Sequence, residues 1–251
     1  MKSRQVGLAR ALSKLGYCSR SQAAALIRAG RVRLNGKTRF DPETPARLQG
    51  DHIEVDHQAV RGESRIYLML NKPRGLVTTA SDEKDRETVY SCLGGQLPWV
   101  GPVGRLDKAS EGLLLFTNDS EWASRLSDPL THLDRTYHVQ VNALAGEGLV
   151  AALSSGVCTA SGEVLRAKQS RVLRTGERNA WLELVLDQGK NRQIRRMFEQ
   201  LGIAVLRLVR IGVGPLRLGT LSKGKYRELS QAEKAAVDRA MRNQSSATVK
   251  S

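Results

Sequence analysis

The sequence predicts an α+β fold in two parts, a small unit with two helices on a curved sheet and a larger domain on a mixed or mostly antiparallel sheet with flanking helices. Three observations predict it. A helix pair runs directly into an Asn35-Gly36 hairpin signal within the first 40 residues. A polar stretch, "HQAVRGESR" at 57–65, then interrupts the patterning. Beyond it, strand-like runs outnumber helical ones and do not alternate with them in strict βαβ order.

"VGLARALSKLG" places Val6, Leu8, Ala9, Leu12 and Leu15 roughly on one helical face, and Gly16 ends that helix. Ser19 and Gln22 have capping-box spacing, and the helix they open stops at Gly30. "RVRLNGKT" reads as strand, turn, strand, and "GDHIEVD" at 50–56 adds a further strand. These elements set a first domain at 1–60 and a linker at 61–65. In the second part, "IYLMLNKPRG" is a strand entering a Pro/Gly loop, "EGLLLFTND" a buried strand, and "DSEWASRLS" a short helix. "RTYHVQV", "AWLELVLDQG" and "AVLRLVRIGVG" are strands, and "NRQIRRMFEQLG" is a helix ending at Gly202. Ser230 and Glu233 open a last helix. The second domain therefore spans 66–242, and composition predicts a disordered tail at 243–251.

Charge narrows the function. The 251 residues carry a net +15. Residues 1–40 contain ten Lys/Arg and no carboxylate, and residues 189–227 contain ten Lys/Arg against Glu199 alone. A solvated face normally mixes signs, so this segregation points to a polyanion. No helix sets bulky aromatics opposite a basic face, which argues against a membrane surface. No apolar run approaches the ~18 residues of a membrane span, and the N-terminus lacks the apolar core of a secretory signal. Cys18, Cys92 and Cys158 are too far apart for a metal site or a disulfide framework, which suits a reducing compartment and a cytoplasmic protein. His52, His57, His132 and His138 have no metal-ligand spacing either.

"GRLDKASEGLLLFTND" at 104–119 sets Arg105, Asp107 and Lys108 against an apolar run. A carboxylate there is either a loop residue paired with Arg105 or a reactive group held ionised beside a dry strand. Composition leaves both readings open.

The N-terminal stretch "LARALSKLGYCSRSQAAALIRAGRVRLNGK" followed by "GDHIEV" resembles the RNA-binding domain shared with ribosomal protein S-four. The resemblance implies a fold that presents basic residues of two helices to structured RNA, read through phosphates and shape. Ser19, Arg20, Arg28, Arg31 and Lys37 are the phosphate-contact candidates.

The second part is similar to the pseudouridine synthases, in the branch that modifies ribosomal RNA and carries the same N-terminal module. The resemblance rests on "NKPRGLVTT" at 71–79, "GRLDKASEGLLLFTND" at 104–119, "RTYHVQV" at 135–141 and "GKNRQIRRMFEQLG" at 189–202. It implies a bent mixed sheet with flanking helices and a cleft across it. It also implies isomerisation of a flipped-out uridine, which gains and loses no atoms and needs no cofactor or metal. On this resemblance Asp107 is the nucleophile, Tyr137 the ring beside the base, and Arg195 the arginine that pairs with Asp107. An arginine partner orients a carboxylate bidentately and favours its ionised form. Arg105, Arg192, Arg196 and Leu216 are candidates for substrate binding. Arg192 and Arg196, at i, i+4, are expected on one helix face toward phosphate, with Arg195 pointing elsewhere. The expected partner is ribosomal RNA or an assembling ribosomal particle, and the protein is expected to be a monomer. Two other classes fit these motifs less well. A non-catalytic ribosome-associated RNA-binding factor leaves the second domain unexplained. A helix-turn-helix regulator does not fit a hairpin that follows the helices at once.

Overall fold

The computed structural model of the chain describes residues 5–80, 82–95, 97–131 and 133–247, with the backbone alone for 243–247. The chain packs into two compact units. One comprises Met1–Leu68, Gly94–Val103 and Phe116–Ser124, the other Met69–Leu93, Gly104–Leu115 and Arg125–Ser251.

The first unit begins with β1 (Gln5–Gly7), α1 (Leu8–Lys14) and α2 (Arg20–Arg28). The Ser19 hydroxyl accepts the Gln22 N–H at 3.1 Å, and Gln22 Oε1 accepts the Ser19 N–H at 3.0 Å, so the expected capping box starts α2. Next come β2 (Val32–Leu34), β3 (Lys37–Arg39), β4 (Pro45–Arg47), β5 (Ile53–Val55) and β6 (Gln58–Ala59). Four of these strands form a sheet in the order β3-β2-β5-β6, and β4 pairs with β1. Leu34 faces Lys37 across the hairpin, and Asn35 and Gly36 adopt φ of +53° and +77°, as a two-residue turn with the strands' own twist requires. Leu8, Leu12, Ile27, Val32, Leu34, Ile53 and Val55 are buried together, each contributing about 1.5–3 kcal/mol.

The stretch expected as a linker, 61–65, is tied down. The Glu63 N–H donates to the Leu15 carbonyl at 3.0 Å. Asn118 donates to the Ser64 carbonyl at 2.8 Å and accepts the Ile66 N–H at 2.9 Å. Polar composition marks a break in patterning, but here one buried asparagine satisfies the backbone that the break exposes.

The rest of the chain supplies β7 (Tyr67–Lys72), β8 (Gly101–Val103), β9 (Glu111–Thr117), α3 (Ser120–Ser127), β10 (Arg135–Val141) and α4 (Glu147–Ser155). It continues with β11 (Val157–Cys158), β12 (Val164–Leu165), β13 (Gln169–Thr175), β14 (Ala180–Leu186), α5 (Gln193–Gln200) and β15 (Val205–Val213). The last elements are β16 (Leu216–Arg217), β17 (Tyr226–Glu228) and α6 (Gln231–Ala247). One sheet runs β13-β14-β10-β15-β9-β7-β17, with β16 on β15 and β8 on β9. Strands β13 to β15 pair antiparallel along it and β15 pairs β9 in parallel, so the sheet is mixed. In β14, Ala180, Leu182, Leu184 and Leu186 alternate inward and meet Ile194, Met197 and Phe198 of α5. All seven residues of β9 are buried, which is why it reads as an apolar run rather than an alternation. Gly112 is required there: its φ is +102°, and a Cβ would stand 2.2 Å from the Arg210 carbonyl oxygen of the parallel neighbour.

Composition predicts disorder from 243, yet α6 continues to Ala247, while 248–251 lie outside the described residues. The helix is capped by Ser230 and Glu233 and anchored by buried Val237 and Met241. Extending an anchored helix costs far less than nucleating one, so polar residues can follow it.

Candidate active site

The loop between β8 and β9 carries Asp107, and its carbonyls from 106 to 110 are engaged. Five successive carbonyls accept hydrogen bonds. Leu106 takes the Thr78 hydroxyl at 2.7 Å, and Lys108 the Gly75 N–H at 2.8 Å. Asp107 takes the Ser110 N–H at 2.9 Å and Lys72 Nζ at 3.2 Å. Ala109 takes Arg195 Nη2 at 3.1 Å, and Ser110 takes Lys72 Nζ at 2.9 Å. Lys72 is fully buried at the end of β7, and its third contact is the Pro73 carbonyl at 3.0 Å. An ammonium has three donors and no acceptor, so three carbonyls match it. Burial pushes its pKa down to about 8 against the pull of nearby Glu111 and Asp107. The result is a stiff main chain that presents a carboxylate 39% exposed.

Among the described residues, the cation within 4 Å of that carboxylate is Arg192, whose Nη1 lies 3.8 Å from Asp107 Oδ2. No Arg105–Asp107 ion pair forms among the described residues; Arg105 is exposed. The expected direct pairing of Arg195 with Asp107 is corrected by the geometry. Arg195 donates instead to the carbonyls of Ala109 and, at 3.4 Å, Val205. Burial and the neighbouring Arg192 charge lower its pKa while Asp107 raises it, so the two still feel each other. Its Nε is buried without a hydrogen-bond partner among the described residues.

The expectation that Arg192 and Arg196 share a helix face is also corrected. Arg192 is the N-cap of α5 with φ +48° and ψ +31°, a left-handed conformation uncommon for arginine. Helical spacing therefore does not govern it. Arg196, inside the helix, donates to Glu163 at 2.6 Å, and Lys190 reaches the other oxygen of Glu163 at 3.0 Å. One carboxylate thus absorbs Arg196 of the helix and Lys190 of the loop, and Arg192 is directed to Asp107.

Tyr137 lies in β10 between Leu184 and Arg210 of the flanking strands, half-buried against the core of β14 and α5. Arg135, two residues earlier, is half-buried with its pKa depressed by burial, and the Tyr137 phenol favours its charge. A Cβ on Gly189 would lie 3.6 Å from the Arg135 guanidinium, so the loop that carries Arg192 runs beside it. Leu216 is buried in β16 opposite Val213.

In the first unit, Arg20, Arg28, Arg31 and Lys37 are exposed, while Ser19 is occupied as the α2 cap. Arg31 holds Asp56 bidentately, with Nε 2.8 Å from Oδ1 and Nη2 on Oδ2, and this keeps the Asp56 carboxyl below the ordinary range. Among the described residues, no group of three or more His, Cys, Asp or Glu is placed to hold a metal ion.

Sequence reasoning missed Lys72, Thr78 and Glu163 as supports. Lys72 had a signal, a lysine closing an otherwise apolar strand just before Pro73. Glu163 had none, because its partners are 27 and 33 residues away in sequence (190 − 163 and 196 − 163).

Comparison with known proteins matches residues 66–200 to the family described as RNA pseudouridylate synthase, and residues 6–53 to the S4 domain. An uncharacterised RNA pseudouridine synthase of Rickettsia prowazekii (strain Madrid E) is 38% identical over 224 residues, covering 89% of this chain and 94% of that one. The ribosomal large subunit pseudouridine synthase B of Bacillus subtilis (strain 168) is 35% identical over 228 residues, covering 90% and 93%. Among solved structures, a crystal structure of a pseudouridylate synthase superposes with a TM-score of 0.65 at 29% identity, covering 92% of this chain and 99% of that chain. No helix among the described residues is long and apolar enough to cross a membrane.

Proposed function

We propose, from the premise that this chain belongs to the RNA pseudouridylate synthase family and isomerises uridine to pseudouridine in RNA, that its substrate is ribosomal RNA and that Asp107 is its nucleophile. The observation that carries the assignment is the carboxylate itself. It is half-exposed on a loop whose five carbonyls are bonded, with Arg192 3.8 Å away. Rigid backbone and an oriented cation cost little reorganisation when charge moves.

The reaction breaks the bond from the ribose C1′ to N1 of uracil, turns the ring, and joins C1′ to C5. The C5 proton leaves and N1 gains one, so the balance closes without a co-reactant. Asp107 bonds transiently to the nucleoside as the C1′–N1 bond breaks, and it is released with its electron pair when C1′ joins C5. Tyr137 stacks on the flipped base and serves the C5 proton, as a half-buried phenol on a strand can. Arg195 acts on Asp107 through the Ala109 carbonyl, and Arg192 acts on it directly. Arg105 holds the flanking RNA, Arg196 joins it when RNA phosphate displaces Glu163, and Leu216 backs the base from the core.

The exposed Arg20, Arg28, Arg31 and Lys37 give the first unit its grip on phosphates, with Ser19 presenting the capped start of α2. We read the protein as a monomer, because Asp107, Tyr137, Arg192 and Arg195 all belong to one compact unit. Three free thiols and this substrate support a cytoplasmic location.

Incubating the purified chain with unmodified ribosomal RNA and mapping pseudouridine tests the reading. New pseudouridine at one or a few positions, absent with Asp107→Asn, is the expected result. Modification by Asp107→Asn at a near wild-type rate sinks the assignment.

A further inference from the structure

We propose that a groove on the first compact unit takes one unpaired nucleobase of the RNA, stacked between aromatic walls. The proposal goes beyond isomerisation and rests on the reading that the chain acts on RNA. It starts from an anomaly in α2. Ala23 and Ile27 bury one face of that helix in the core. A second stripe, Gln22, Ala25, Leu26 and Ala29, repeats at i, i+3, i+4 and i+7 and is largely apolar, yet it lines an open cavity of about 590 Å³. Ala25 and Ala29 are exposed. Small residues at these positions let a flat ring lie close to the helix.

The other walls come from Tyr17, Cys18, Arg31 and Trp99, all within the same unit. Tyr17 is 38% exposed, unusual for so large an apolar ring. Burial pushes the Cys18 thiol up to about 11, so this wall stays neutral at ordinary pH. Trp99 Nε1 is buried and finds no hydrogen-bond acceptor among the described residues. An indole N–H only donates, and a buried donor without an acceptor is costly. Because that N–H is sealed inside the wall, a base in the groove would meet the indole ring rather than its N–H. Asp56 fixes the Arg31 guanidinium through Nε and Nη2, leaving Nη1 and the flat face to meet a phosphate or a base.

The occupant follows from charge and shape together. The groove sits in the stretch where ten Lys/Arg and no carboxylate occupy residues 1–40, so a polyanion is favoured over an apolar peptide. Aromatic walls reach only a base that has left its helix, and stacking on them tolerates any base.

The test uses the full chain and a short uridine-free oligoribonucleotide carrying one 2-aminopurine, compared with the same oligonucleotide abasic at that position. The wild type should bind the intact probe roughly 5- to 150-fold more tightly than the abasic one, with quenching of the 2-aminopurine. Trp99→Ala removes a wall, and Ala25→Trp fills the groove from an exposed helical position. Each should bring the two affinities within about twofold while leaving the salt dependence unchanged, with helical content checked by circular dichroism. Equal affinity for the two probes in the wild type overturns the proposal and means that the groove holds something else, a protein segment included. A base preference that survives in both variants overturns it as well. Because the probe contains no uridine, turnover on ribosomal RNA is scored separately, so failure of the groove and failure of the Asp107 chemistry give different results.

Discussion

Arg195 holds the carbonyl of Ala109 at 3.1 Å, two residues past Asp107, while Arg192 from the turn before α5 stands 3.8 Å from the Asp107 carboxylate. The two arginines therefore divide one task. Arg195 fixes the backbone under the carboxylate, and Arg192 sets the field at its oxygens.

That division separates their variants. Arg192→Met should lower kcat by roughly 10²–10³-fold with little change in melting temperature, since both partners are half-exposed. Arg195→Met should lower kcat and also destabilise the fold by about 1–3 kcal/mol, because Ala109 loses its donor inside the protein. Single-turnover kinetics and urea unfolding of each variant read the two effects. Equal destabilisation by both changes would refute the division.

Asp107→Asn removes the anionic oxygen with almost no change in shape. It should reduce tritium release from C5-labelled uridine by at least about 10³-fold. RNA affinity should remain within about twofold, since the exposed cations elsewhere are untouched.

Lys72 makes a pH-dependent contribution to stability. Its folded pKa is about 8 against an ordinary 10.5, so between these values the unfolded chain binds the extra proton. Stability from this group therefore rises as pH climbs from about 8 towards 10, by roughly 3 kcal/mol at full extent. Lys72→Met takes the lysine donor from the Pro73 and Ser110 carbonyls and one of two donors from the Asp107 carbonyl, and should destabilise at pH 7 by about 1–3 kcal/mol. The wild-type minus variant difference, followed by urea unfolding, should widen above pH 8; a flat difference would show that the ammonium is not desolvated.

Exposed cations of the first unit should appear in the salt dependence of RNA binding. Arg20→Gln, Arg28→Gln and Lys37→Gln should each reduce the slope of log affinity against log salt by about 0.7–0.9. Their kcat at saturating RNA should stay near wild type. Unchanged slopes would move the phosphate contacts to the basic stretch at 189–227.

Local chemistry in the chain determined most of the elements and the order of the motifs. The Asn35-Gly36 turn, the Ser19 and Ser230 caps and the unbroken apolar run of β9 depend on neighbours within a few residues, so they are legible by inspection. The polar edge strand β13 and the hairpin of β11 and β12 were not, because weak one-sided burial leaves no clear period. The nucleophile candidate was likewise legible from its motif and its resemblance. Its partner was not. Helical spacing assumes that Arg192 lies inside a helix, but its left-handed backbone places it before one, and Glu163 claims Arg196 from 33 residues away (196 − 163). Which cation reaches Asp107 is a competition among long side chains for a few carboxylates and carbonyls. Such a competition is settled by distances between segments remote in sequence, and only the folded chain sets those distances.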